Sequence, residues 1–349
     1  MLQVEDSSME VLTKQAVQIK TIEMHTGGHP VRIIVSGYPP LKGRTILEKR
    51  RFVKEKLDHL RKMLMFEPRG HEGMYGALLV EPDDKEAHLG VLFMHNEGYS
   101  TMCGHAVISL GRFAIDYGFV PAKEPECEVN IQCPCGLVKA TVECKDGKTG
   151  DVHFQSVPAF VLQTDLEVQV PQFGKLLVDI AYGGAFYAFI ADSDVGIDLN
   201  ESSPDVIADI AWAVTTAAKK VVRLEHPDSD DLVFLYGTII TDGKDKWNEE
   251  PTSNLCVFGD KEIDRSPCGS GVTARVALQY HKGQLAMGQK RVFQNCHTKS
   301  QFTGMPVRET TCGRFKGIIV EVSGRGYYTG EATYVIEEED IMGKGFLVR

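Results

Sequence analysis

Short apolar runs alternate with polar, glycine-punctuated gaps along nearly the whole chain. Residues 1–17 are polar and acidic and carry no periodic apolar pattern, so they read as a tail. Residues 18–36 read as a strand, a turn over 25–30 and a second strand. Residues 45–65 show helical spacing with i,i+4 charge pairs, which predicts one helix. Apolar runs at 76–80, 89–94, 128–131, 137–144 and 152–157 predict strands, and the long apolar stretch 104–117 between them predicts a helix. The second half reads in the same way. Strands are expected at 177–180, 185–190, 232–240, 253–258, 317–322 and 330–336. Helices are expected at 203–222, with Lys219 and Lys220 near its end, and at 269–281.

The two halves share an order of features. When Cys103 is set on Cys268, Cys103-Gly104-His105-Ala106-Val107 faces Cys268-Gly269-Ser270-Gly271-Val272. Gly118 and Gly283 then fall at one offset, where each would end a helix. Gly27-Gly28 precedes an apolar strand in the first half, as Gly183-Gly184 does in the second. This weak internal repeat predicts two related domains facing one another, each presenting a Cys-Gly at the start of a buried helix.

Composition narrows the classes. The chain has 349 residues, 43% hydrophobic and 25% charged, enough for two globular domains. A net charge of −10 argues against nucleic acid or an anionic membrane as partner. No apolar run approaches the roughly 20 residues that span a bilayer. The acidic N-terminus lacks a secretory pattern, and nine scattered cysteines do not form a disulfide framework, so a cytoplasmic location is expected. The acidic run 337–340 reads as a solvated surface feature.

The chemistry sits at the two Cys-Gly pairs. A cysteine just before a helix lies at the positive end of the helix dipole, which is expected to lower its thiol pKa toward neutrality. The amides of the first turn lack internal partners and suit a carboxylate. Asp264-Arg265-Ser266-Pro267-Cys268-Gly269-Ser270-Gly271 adds an acid that could accept from a substrate ammonium. Two thiols flanking one cleft could move an α-proton from one face and return it on the other, with fixed amides stabilising the charge on the carboxylate. No metal or cofactor is called for. Cys133-Pro134-Cys135 is read as structural, two positions on one strand face. His95, His153, His281 and His297 show no convergent partners in sequence.

Tyr99-Ser100-Thr101-Met102-Cys103-Gly104-His105 and the Asp264–Gly271 stretch resemble the two signature motifs of the proline racemase family. That family comprises proline racemases, 4-hydroxyproline 2-epimerases and trans-3-hydroxy-L-proline dehydratases. Met24-His25-Thr26-Gly27-Gly28 and Phe66-Glu67-Pro68-Arg69-Gly70-His71 resemble further family segments. The resemblance implies an α/β (α+β) fold like that of diaminopimelate epimerase. Two pseudo-symmetric domains each wrap a curled, mostly antiparallel sheet around a central helix, with the active site in the cleft between them. The expected division is 18–160 plus about 330–349 for the first domain and 161–329 for the second. It implies Cys103 and Cys268 as the catalytic acid–base pair, with Gly104, His105, Gly269 and Ser270 supplying carboxylate-binding amides. His105 and Asp264 flank the ring nitrogen, no cofactor is needed, and a homodimer is expected.

Leu92-Phe93-Met94-His95-Asn96-Glu97-Gly98-Tyr99 looks most like the animal dehydratases, which carry threonine where this chain has Cys268. His29 stands where the first motif often has an acid. The leading expectation is racemisation or epimerisation of proline or a hydroxyproline, because Cys268 completes a two-thiol pattern. The alternative is dehydration of trans-3-hydroxy-L-proline, which needs only Cys103.

Overall fold

A computed structural model of the chain describes residues 17–348. The expected tail lies outside the described residues except for Val17, which already belongs to the first strand. The strands of the first half are β1 (Val17–Thr26), β2 (His29–Ser36), β3 (Tyr75–Val80), β4 (Leu89–His95), β5 (Glu126–Cys133), β6 (Gly136–Lys145) and β7 (Lys148–Gln155). Those of the second are β8 (Ala159–Val170), β9 (Gly174–Tyr182), β10 (Phe186–Ala191), β11 (Leu235–Thr241), β12 (Thr252–Phe258), β13 (Glu262–Ile263), β14 (Arg291–Asn295), β15 (Gln301–Cys312) and β16 (Phe315–Gly324). The last strand is β17 (Gly326–Ile336), and the helices are α1 (Ile46–Lys56), α2 (Asp58–Met65), α3 (Gly104–Asp116), α4 (Pro204–Val221) and α5 (Gly269–His281).

The pairing traces two curled sheets joined through β16. One runs β17·β1·β2·β3·β4·β5·β6·β7·β16. The other runs β16·β15·β14·β12·β11·β10·β9·β8 and closes back on β16 through Phe160 and Ala159. Most pairs are antiparallel, as expected. The expected return of the final strand is seen in β17, which pairs with β1 from Val17↔Ile336 to Thr26↔Gly326.

Each sheet wraps one helix that is apolar nearly all round. In α3 every residue from Gly104 to Ile115 except Arg112 is buried, and in α5 burial runs unbroken from Gly269 to Gln279. A helix without a polar face has to sit inside a core. Here α3 packs on β1, β2, β5, β6, β7, β16 and β17, while α5 packs on β8, β9, β10, β15 and β16. Gly118 and Gly283 follow these helices at φ 76 and 66, the left-handed conformation that ends a helix cheaply at glycine. By contrast, α4 covers the outside of the second sheet with one buried face.

Three local expectations are corrected. The helix expected over 45–65 breaks at Leu57 (φ −125, ψ 15), so that α1 and α2 each lay a buried face on β4. The strands β8, β13, β14 and β15 were not anticipated. β15 alternates, contains Pro306 and is polar in its second half, so its apolar signal is weak and β16 pairing defines it. Cys133 ends β5, but Pro134 and Cys135 form the turn into β6. The two cysteines therefore do not share a strand face, and Cys133 is buried while Cys135 is half-exposed. The acidic run is also not wholly free, because Asp340 Oδ2 accepts from Arg69 Nη2 at 2.7 Å.

Candidate active site

The two buried helices meet at their N-termini. A Cβ placed on Gly104 would lie 2.5 Å from Gly269 Cα, and one on Gly269 would lie 2.5 Å from Gly104 Cα. Only glycine at both positions allows this approach of backbone to backbone. The first intrahelical bonds run from Val107 N–H to Cys103 O (2.9 Å) and from Val272 N–H to Cys268 O (2.7 Å). The amides of Gly104, His105, Gly269 and Ser270 therefore have no intrahelical acceptors, and two positive helix ends point at one spot. This is where an anionic group gains most, and the four amides are those expected to hold a carboxylate.

The cysteines cap these helices differently. Cys103 has an ordinary extended cap conformation (φ −147, ψ 103), and its sulfur accepts the Ala106 N–H at 3.4 Å. His105 Nδ1 lies 3.1 Å from the same sulfur. Cys268 is held at φ 70, ψ 97, and its side chain makes no cap bond. A non-glycine residue there costs about 1–3 kcal/mol of strain, a cost found most often at functional sites. Its amide donates to Ser266 Oγ at 3.1 Å, and its thiol lies 3.7 Å from the Tyr187 hydroxyl, which is 2.7 Å from Ser270 Oγ.

Burial governs the electrostatics. It pushes the Cys103 thiol well above its ordinary range, although the Ala106 amide and the Tyr75 hydroxyl oppose it and the charges of Asp264 and Cys268 reinforce it. The lowering toward neutrality expected from the helix dipole is not realised, because removal from water outweighs the dipole. Burial also raises Asp264 to about 6, against hydrogen bonds from Ser266. It lowers His105 to about 3, against a hydrogen bond to the Pro30 carbonyl, so this imidazole is neutral.

His29 joins the group. Its ring is fully buried, and burial, reinforced by the nearby positive charges, drives its pKa well below the usual histidine value. The Arg265 N–H donates to Nδ1 at 3.1 Å, so in the neutral ring the proton sits on Nε2. Asp264 Oδ1 stands 3.6 Å from Nδ1, a contact that is not an ion pair because the ring is uncharged. His29 Nε2 is buried without a partner, and the ring packs edge-on against His105 at 4.5 Å. His29, His105 and Asp264 are close enough to hold an ion, but His29 Nδ1 and His105 are already engaged by the chain itself, so the group suits a ligand better than a metal.

All seven residues expected from sequence come together here. Tyr75 and Tyr187 were missed, because single aromatic residues inside apolar strands give no signal distinct from core. Tyr75 shares a short hydrogen bond with Ser100. His95 was also misjudged as unpartnered. Its Nδ1 lies 3.0 Å from buried Glu262, 167 positions away, and its ring stacks on Tyr75 at 6.0 Å.

Two sheet-wrapped helices thus meet at N-termini that each follow a buried cysteine. Residues 21–347 match the proline racemase family, and the chain belongs to that family. It is 59% identical over 332 residues, 95% of each chain, to a trans-L-3-hydroxyproline dehydratase of Xenopus tropicalis. It is 42% identical over 334 residues to a 3-hydroxyproline 2-epimerase of Burkholderia multivorans, covering 95% of this chain and 98% of that one. Its fold matches a hydroxyproline epimerase of Agrobacterium vitis, solved with trans-4-hydroxy-L-proline bound, at a TM-score of 0.90 and 23% identity over 96% of both chains. The expected α/β fold of two pseudo-symmetric halves is thereby confirmed. The expected preference for racemisation is not, since the relative at 59% identity is a dehydratase and an epimerase appears at 42%. Among the described residues no helix is long and apolar enough to cross a membrane.

Proposed function

We propose that this enzyme dehydrates trans-3-hydroxy-L-proline. The observation that carries this reading is the 59% identity to a dehydratase along 95% of the chain, against 42% to an epimerase. In this substrate the carboxylate and the 3-hydroxyl lie on opposite faces of the ring, so the α-hydrogen and the hydroxyl share one face. One group on that face can serve both. The Cys103 thiolate takes the α-proton, the C–H electrons form the C2–C3 double bond, and the 3-hydroxyl leaves with a proton as water. The resulting enamine tautomerises to a pyrroline-2-carboxylate. No acid is needed on the far face.

The chain's own groups support each part of this sequence. The four free amides at the helix ends hold the carboxylate and stabilise the charge that spreads into it as the α-carbon loses its proton. Asp264, ionised above about pH 6, accepts from the ring ammonium. The neutral His105 ring, 3.1 Å from the Cys103 sulfur, hydrogen-bonds the thiol and orients it, and the positive helix end favours the thiolate that burial disfavours. His29 Nε2–H, a buried donor without a partner, suits the departing hydroxyl.

The second reading is epimerisation, and Cys268 is the observation that favours it. Its buried sulfur stands at the other helix end, where it could protonate the far face of the α-carbon. The test is a proton NMR series in deuterated water with L-proline, trans-4-hydroxy-L-proline and trans-3-hydroxy-L-proline. Loss of the 3-hydroxyl from the last substrate alone is the expected result. Inversion with deuterium incorporation at the α-carbon and no loss of water would overturn the dehydratase reading.

A further inference from the structure

A second cluster lies away from the helix N-termini. His226 and Asp228 sit in the irregular segment after α4, and Cys312 ends β15. A ring nitrogen, a carboxylate oxygen and the sulfur of these three lie within 4.8 Å of one another. His226 Nε2 is 3.9 Å from Cys312 Sγ. In a tetrahedral zinc site, bond lengths of about 2.3 Å to sulfur and about 2.0 Å to nitrogen place such donors roughly 3.5 Å apart. The His226–Cys312 spacing needs to close by only a few tenths of an ångström, and the Asp228 oxygen starts within 4.8 Å of both.

An independent feature points into the same place. The three residues line a pocket of about 380 Å³ together with Tyr182 and Cys135. Tyr182 is 1% exposed, and its hydroxyl is buried with no hydrogen-bond partner. The charges of Cys135, Cys312 and Asp228 all bear on that hydroxyl, and the His226 ring packs on the Tyr182 ring at 4.6 Å. A buried hydroxyl left unpaired is destabilising, and among the described residues no side chain or backbone group satisfies this one.

The geometry points to a zinc-type divalent metal site formed by His226, Asp228 and Cys312. One imidazole, one carboxylate and one thiolate form a borderline-soft set that suits Zn²⁺ and not Mg²⁺ or Ca²⁺, which take oxygen ligands. A water completes the tetrahedron and provides the partner that the Tyr182 hydroxyl lacks. On binding, the Cys312 thiol loses its proton to solvent. Binding through His226 Nε2 moves the ring proton to Nδ1, which gives up the long 3.3 Å bond now accepted from the Asp228 amide. The metal ties the segment after α4 to the β15–β16 hairpin.

The test uses Co²⁺ as probe on the chelator-treated full chain. One equivalent should produce a thiolate-to-cobalt charge-transfer band and the intense visible bands of tetrahedral cobalt, both abolished by Zn²⁺. Zn²⁺ should also raise the melting temperature. Cys312→Ser should remove the charge-transfer band and weaken Zn²⁺ binding by about 100-fold or more. His226→Gln should weaken it similarly with the far-UV circular dichroism of the metal-free chain unchanged, while Cys135→Ser should leave the band in place. Absence of a saturable band in the unaltered chain, or its persistence in Cys312→Ser or His226→Gln, would overturn the proposal.

Discussion

The two helix starts are equivalent in sequence and unlike in structure. Cys103 caps α3 in a relaxed extended conformation, bonded to the Ala106 amide and 3.1 Å from His105. Cys268 caps α5 at φ 70 without a side-chain cap bond, and the residue that follows its glycine is Ser270, not a histidine. The first thiol lies beside a neutral imidazole, whereas the second is hydrogen-bonded to the Asp264 carboxyl and to Cys256. The difference teaches that a repeated motif supplies two thiols in unlike settings, one beside an imidazole and one beside a carboxyl. The second cysteine sits in a strained conformation, and under the proposed dehydratase reading its thiol is not required.

The largest effect should come from the first thiol. Cys103→Ser should cut α-proton removal by about 10²–10⁴-fold, the range of a positioned acid–base group, measured as deuterium exchange at the α-carbon. A variant retaining tenth-level exchange would remove Cys103 from the base position. Gly104→Ala attacks what the two starts have in common. Its methyl would press into Gly269, so the helix ends must part, with a loss of about 1–3 kcal/mol of stability and of most carboxylate affinity. Unchanged KM and melting temperature would show that the two N-termini do not bind together.

The pH profile separates the starts by charge. Asp264 is neutral below about pH 6, where it can no longer take the substrate ammonium, so kcat/KM should fall by about tenfold per unit as pH drops below that value. The same shift has the opposite sign for folding. A carboxyl raised from 3.8 to about 6 stabilises the native state at low pH, and this contribution is lost as pH rises through about 6. A kcat/KM flat down to pH 5 would exclude Asp264 from substrate binding. The smallest effect should come from Cys268→Ser, with dehydration within about threefold of the unaltered enzyme. A large loss would promote Cys268 to a full partner and favour epimerisation.

Much of this was legible in the chain. The apolar stretches 104–117 and 269–281 gave both buried helices to within a residue, because a helix with no polar face has only the core to go to. The Cys-Gly pairs gave the two helix starts that meet in the fold, since their spacing to Gly118 and Gly283 is a local property. Weakly apolar strands such as β15 were hidden, because partner strands define them. The break at Leu57 depends on the shape of the sheet beneath it.

What the sequence by itself determined is which residues form the two helix starts and that each carries a thiol and free amides. What only the tertiary structure decided is how those groups behave. Burial overrode the dipole at Cys103, placed His29 with a free Nε2–H beside His105, joined His95 to Glu262 and gathered His226, Asp228 and Cys312 around Tyr182. The reason is physical: helix and cap signals act over a few residues, whereas removal from water and contacts between residues far apart in the chain exist only once the whole sheet has closed.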